Sequence, residues 1–149
     1  DQSGSYSDND KATNKIIASM LKAEKMSPIF TFDVVKFSDR SFVAKPSERF
    51  SLSGGSTRMG PELTACIKQC IKPSALNYFI LLNDGSAYTF DKVGLMSVLN
   101  NRNTAIIADG YAIQTQYTDF TTAKVISTKN YPAELGKNVA SMLDDFIRL

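Results

Sequence analysis

The stretch "LNYFILLNDG" (Leu76 to Gly85) constrains the fold more than any other. A nearly continuous apolar run closed by an Asp-Gly turn is the pattern of a strand buried on both faces, which calls for helices above and below a parallel sheet. "TAIIADG" (Thr104 to Gly110) repeats the pattern, and "AKVIST" (Ala123 to Thr128) reads as a last strand. Earlier, "IFTFDVVKFS" (Ile29 to Ser38) is rich in β-branched and aromatic residues, and "SFVAK" after Asp39-Arg40 pairs back on it as a short edge strand.

Helical patterns alternate with these strands. "DNDKATNKIIASMLKAEKM" (Asp8 to Met26) has Ile16, Ile17, Met20 and Leu21 on one stripe, with Ser7 or Asp8 as cap and Ser27-Pro28 as stop. "ELTACIKQCIK" begins after Gly60-Pro61, with proline in the first turn and Glu62 at the positive end. "TFDKVGLMSVLNN" is a third helix. "YPAELGKNVASMLDDFIRL" closes the chain as a fourth, with Leu135, Val139, Met142, Leu143 and Phe146 inward. The expected fold is therefore α/β: a three-layer, doubly wound, mostly parallel sheet with helices on both faces, in one domain spanning residues 1–149.

Composition narrows the chemistry. Apolar residues make up 43% of the chain and charged residues 21%, with a net charge of +2, so no basic surface argues for nucleic acid. No apolar stretch approaches the ~18 residues that span a bilayer. Histidine is absent. That removes Ser-His-Asp and Cys-His nucleophile systems and His-based zinc or iron sites, and any resident metal must be held by oxygen. Cys66 and Cys70 lie one helical turn apart. They read as reduced, partly buried thiols, because a disulfide at that spacing needs unusual geometry. They point to a reducing compartment, with a cytoplasmic location as the expectation.

Three acid- or hydroxyl-bearing loops fall where an open α/β sheet binds its ligands, beyond the carboxyl ends of the strands. They are "DQSGS" at Asp1, "GGSTRMG" around Thr57 and "LLNDG" around Asp84. Taken alone, the first is an ordinary polar chain end, and Asp-Gly in the third is an ordinary turn. Together and in this order, they resemble the metal-ion-dependent adhesion site of a von Willebrand factor A-type domain. That family combines Asp-x-Ser-x-Ser, a later loop threonine and an aspartate after a central strand. Asp1, Ser3 and Ser5 match the first element, Thr57 the second (with Ser56 if the loop is shifted by one) and Asp84 the third.

Two carboxylates and three hydroxyls are hard oxygen ligands, suited to Mg²⁺ in a shell completed by water, with Mn²⁺ or Ca²⁺ as alternatives. The resemblance implies that Ser3, Ser5 and Thr57 bind directly, and that Asp1 and Asp84 do so directly or through water. It also implies function: a module that binds a protein partner when a partner carboxylate completes the metal's shell. The family carries an apolar strand immediately before Asp-x-Ser-x-Ser, and none precedes Asp1. The expectation is a domain shortened at its N-terminus, with Asp1 mid-domain in the natural chain.

The same residues are compatible with other chemistries in part. Gly55 and Gly60 have P-loop separation, but Pro61-Glu62 replaces the Lys-Ser/Thr that grips phosphate. G-x-S-x-G is absent, which argues against a hydrolase elbow. A phosphotransferase of the haloacid dehalogenase type needs a second aspartate where Ser3 stands. Tyr6, Tyr88 and Tyr111 are candidates for a contact rim around the ion, and Asp8 and Asp10 read as caps of the first helix or outer groups of the site. The rival function is a metal-assisted hydrolase or phosphotransferase on the same oxygens, disfavoured by the lack of an evident general base. A structural domain without metal is the third.

Overall fold

The computed structural model describes residue 1 and residues 10–27, 30–50, 54–83, 87–100, 103–108 and 110–127. Helix α1 (Asp10–Met26) leads into strands β1 (Val35–Phe37) and β2 (Ser41–Val43). Strand β3 (Arg58–Met59) and helix α2 (Pro61–Cys70) follow, then β4 (Tyr78–Asn83), β5 (Thr89–Phe90) and helix α3 (Lys92–Leu99). Strand β6 (Asn103–Ala108), helix α4 (Gly110–Thr115) and strand β7 (Lys124–Ser127) complete the described elements. The closing helix expected from Tyr131 onward, and the Ser7 or Asp8 cap, lie outside the described residues.

The chain is mixed α/β with parallel pairing at its centre. Strands β4, β6 and β7 form a three-stranded sheet in that order, parallel throughout. Tyr78 stands opposite Asn103 and Asn83 opposite Ala108, so β4 and β6 end level. Strands β1 and β2 form an antiparallel hairpin, as "FDVVKFSDRSFV" predicts. Thr89 and Phe90, expected as the start of the third helix, instead form β5 in parallel with β3, and the helix begins at Lys92 after the Asp91 cap; α4 was not expected from the sequence.

One apolar cluster joins these pieces. Met59, Leu63, Leu95 and Ile106 are among its fully buried members, and Phe37 brings the hairpin into it. Helix α2 reaches the cluster through Leu63 and Ile67, on one face as the spacing requires. Helix α3 is capped by Asp91, whose carboxylate accepts from the Gly94 N–H, and the Thr64 hydroxyl of α2 donates to the same side chain at 3.0 Å. That shared acid fixes two helices to each other.

Two further expectations are corrected. The strand expected over residues 29–38 is confined to β1. Phe32 instead gives its N–H to Glu24 and its carbonyl to Arg49, whose guanidinium also lies 4.4 Å from the Phe32 ring centre. Side chains therefore supply the partners that a ladder would have supplied. Strand β4 is not buried along its whole length: Leu81 and Asn83 are buried, and Tyr78, Phe79, Ile80 and Leu82 are half-buried. Strand β6 lies between two neighbours and is buried from Thr104 to Ala108, whereas β4 pairs with β6 alone among the described residues. No described helix is long and apolar enough to cross a membrane.

Candidate metal centre

The end of β4 is a polar frame set into an apolar sheet. Asn83, its last residue, is fully buried in spite of its amide. The Tyr117 hydroxyl donates to Asn83 Oδ1 at 3.1 Å, and Asn83 Nδ2 donates to Asp1 Oδ2 at 3.0 Å. The two contacts fix the orientation of the amide, since a flipped amide would set its oxygen against a carboxylate. The Asp1 nitrogen donates to the Leu82 carbonyl at 3.1 Å. Asp1 is thus held by backbone and side chain beside the residue that immediately precedes Asp84.

The described residues on either side of positions 84–86 are both held from one turn. Tyr117 holds Asn83 before them, and Gln116 Oε1 accepts from the Ala87 N–H after them. Tyr117 is buried against Phe90 and Phe120 by edge-on ring contacts. Tyr117, Gln116 and Asn83 carried no signal in the sequence reading. The one available hint was an amide interrupting the apolar run "FILLN".

The Thr57 loop lies against the segment that follows. The Tyr88 N–H donates to the Thr57 carbonyl at 2.7 Å, and the β3–β5 register continues the contact. Ser56, the alternative hydroxyl, is tied to the turn between β1 and β2 through Asp39. Its Oγ donates to Asp39 Oδ1 at 2.5 Å and its N–H donates to the same oxygen at 3.0 Å. These Ser56 bonds, hydroxyl first, together with the charge of Arg58, hold the Asp39 carboxyl below its usual range. Arg58 also lies 4.9 Å from the ring centre of the exposed Tyr88; Tyr111, on α4, is likewise exposed.

Of the residues predicted to hold the ion, Asp1 and Thr57 are described, and both are tied to the segments on either side of Asp84. Ser3, Ser5 and Asp84 lie outside the described residues, as do Tyr6 and Asp8. No group of three or more His, Cys, Asp or Glu side chains is placed to hold a metal among the described residues. The expected donor set has only Asp1 and Asp84 from those types, so its affinity would depend on hydroxyls.

Cys66 and Cys70 are free and partly buried. Burial raises both thiols above their ordinary value, with Glu62 adding to the effect at Cys66 and Asp33 at Cys70. They are poor nucleophiles and do not belong to the site.

No protein-family model, curated protein or solved structure matches the chain.

Proposed function

We propose that the chain is a divalent-metal-dependent protein-interaction module in which Asp1, Ser3, Ser5, Thr57 and Asp84 hold Mg²⁺ or a similar ion. The observation that supports the reading is that two of the expected ligands are tied to the described segments on either side of Asp84. Asp1 is bonded to Leu82 and Asn83 at the end of β4, where such sheets bind ligands, and Thr57 is bonded to Tyr88 beyond Asp84. The finer architecture that accompanies this reading is the three-layer, doubly wound sheet of a von Willebrand factor A-type domain. The parallel order β4-β6-β7 supports it.

The chemistry is ligation. An ion held mainly by neutral hydroxyls keeps positive charge to share, so a partner aspartate or glutamate can complete its shell. In the chain itself, Asn83 orients the Asp1 carboxylate, and the Tyr88 amide anchors the Thr57 backbone. Exposed Tyr88 and Tyr111 supply aromatic contact area around such an acid. The free thiols fit a cytoplasmic setting.

Calorimetry with Mn²⁺ and Mg²⁺ tests the metal step, with Asp84→Ala as the variant expected to lose the ion. Equal affinity in parent and variant would exclude the assignment. Pull-down with and without chelator tests the partner step. Metal-dependent turnover of a phosphate or ester substrate would favour the enzymatic rival.

A further inference from the structure

Helix α2 carries its two cysteines on one stripe. Glu62, Cys66 and Cys70 follow one another at four-residue steps, beside the buried stripe of Leu63 and Ile67. Both thiols are free and half-buried, so the core shelters them while solvent still reaches them. They also feel each other, since Cys66 is one of the groups that raise the Cys70 thiol.

Spacing limits what the pair can bind. Side chains four apart on a helix have their Cβ atoms about 5–6 Å apart. A disulfide needs about 3.5–4.5 Å, so the two thiols stay separate while α2 is intact. A single atom bonded to both sulfurs relaxes that demand. With bonds of about 2.3 Å, as in metal thiolates, a right-angled bridge holds the sulfurs roughly 3.3 Å apart, against about 2 Å in a disulfide.

The surroundings limit the charge of what binds. Burial raises both thiols, Glu62 adds to the effect at Cys66, and Asp33 adds to it at Cys70, where Lys72 works the other way. Free thiolates are therefore disfavoured, and so is an anionic complex such as two thiolates on Cu⁺. Zinc takes four ligands. Among the described residues, no group of three or more His, Cys, Asp or Glu is placed to hold a metal. A centre that suits the pair takes two sulfurs, brings its third ligand with it and ends neutral.

We infer that Cys66 and Cys70 form a dithiol site for trivalent arsenic compounds that carry one organic substituent, with a single arsenic atom bridging the two sulfurs along the last turns of α2. The inference is independent of the oxygen-ligand site proposed above. With an arsenoxide, R–As=O, two S–As bonds form and the As=O bond breaks. The oxygen leaves as water with the two thiol protons. Arsenic stays trivalent and neither sulfur changes oxidation state, so no oxidant or reductant takes part. The product carries no charge, and the acidic neighbours that penalise a thiolate do not penalise it.

The test uses the full chain and phenylarsine oxide. Intact-mass spectrometry is expected to show a single arsenical per chain, added with loss of one water, and both thiols of the loaded protein are expected to resist iodoacetamide. Cys66→Ser and Cys70→Ser are each expected to weaken binding about 100-fold, the lower end of what linking two attachment points gains. Cys66→Ala and Cys70→Ala, which add no hydroxyl to a half-buried position, are expected to do the same, and far-UV dichroism checks that each variant is folded. Cys70→Ser combined with Lys68→Cys keeps two thiols but sets them two residues apart, on different faces of the helix. That protein is expected to bind no better than the single variants. Parent-like affinity in any single variant or in the relocated pair would overturn the bridged site. So would a loaded parent in which one thiol still alkylates freely, or a parent chain that takes up no arsenical.

Discussion

Tyr117→Phe isolates one hydrogen bond in the frame at the end of β4. The substitution keeps the ring, so the contacts with Phe90 and Phe120, at 5.8 and 5.4 Å between ring centres, are retained. It removes the one donor to Asn83 Oδ1 among the described residues, an atom of a residue with 0% exposure. A buried acceptor left without a partner costs about 1–3 kcal/mol. The lost contact to the Met59 sulfur, at 3.7 Å, adds little, because one hydroxyl proton cannot serve two acceptors and a thioether is the weaker. For a chain of this size, each kcal/mol lowers the melting temperature by about 2–4 °C. Thermal and urea unfolding of the variant should therefore show a fall of about 2–12 °C with an unchanged urea slope. Adding Asn83→Leu removes the orphaned acceptor, so the double variant should lose less than the sum of the single losses, with a coupling of about 0.5–3 kcal/mol. A Tyr117→Phe protein within ~0.5 kcal/mol of the parent, the range of ordinary surface changes, would refute the reasoning.

Asp91→Ala should destabilise by about 1–2 kcal/mol in urea unfolding, because it removes the α3 cap and the acceptor of the buried Thr64 hydroxyl. Leu95→Ala should cost about 2–5 kcal/mol, since Leu95 is fully buried in the central cluster, and a loss below 1 kcal/mol would mean the cluster is loosely packed. Iodoacetamide at mild alkaline pH should modify Cys66 and Cys70 more slowly than free cysteine, as their raised values require, and mass spectrometry reads the rates. Asp39 has a folded value below its ordinary 3.8, so its contribution is present above that value and fades as pH falls through the lowered one. Acid unfolding of Asp39→Asn should accordingly lack the part of the parent's pH dependence that lies below 3.8.

What the sequence showed of the fold followed from side-chain periodicity. The apolar runs at Leu76 and Thr104 became β4 and β6, the Asp39-Arg40 turn became a hairpin, and Gly60-Pro61 opened α2. Two-residue ladders such as β3 with β5 carry no period, so nothing in "RM" or "TF" could announce them. Helix α4 is short and shares its first residue with the Asp-Gly turn signal, which concealed it. At the site, residues with ligand chemistry were legible as residue types. The groups that hold them were not: Asn83 lay inside a strand, and Gln116, Tyr117 and Asp39 matter only through contacts across the fold. Sequence order encodes donors, while tertiary contact decides which of them meet.

That division has an energetic consequence. Asn83 and Tyr117 belong to a buried network, so altering them changes the folding equilibrium whether or not an ion is bound. Thr57 is tied through its backbone carbonyl, and its hydroxyl has no hydrogen-bond partner among the described residues. Removing that hydroxyl leaves the backbone tie in place, so folding should hardly register the change while a bound ion would lose a donor. An ion that binds only the folded chain stabilises it by about 2.7 kcal/mol at one hundred times its dissociation constant. Stability with and without the ion therefore separates the two classes of residue. Frame residues lower both curves, whereas a ligand lowers only the increment the ion adds. This comparison is the test of the proposed ligand role: Thr57 should behave as a ligand and Tyr117 as a frame residue, and a Thr57→Ala variant that keeps the full increment would remove Thr57 from the proposed donor set.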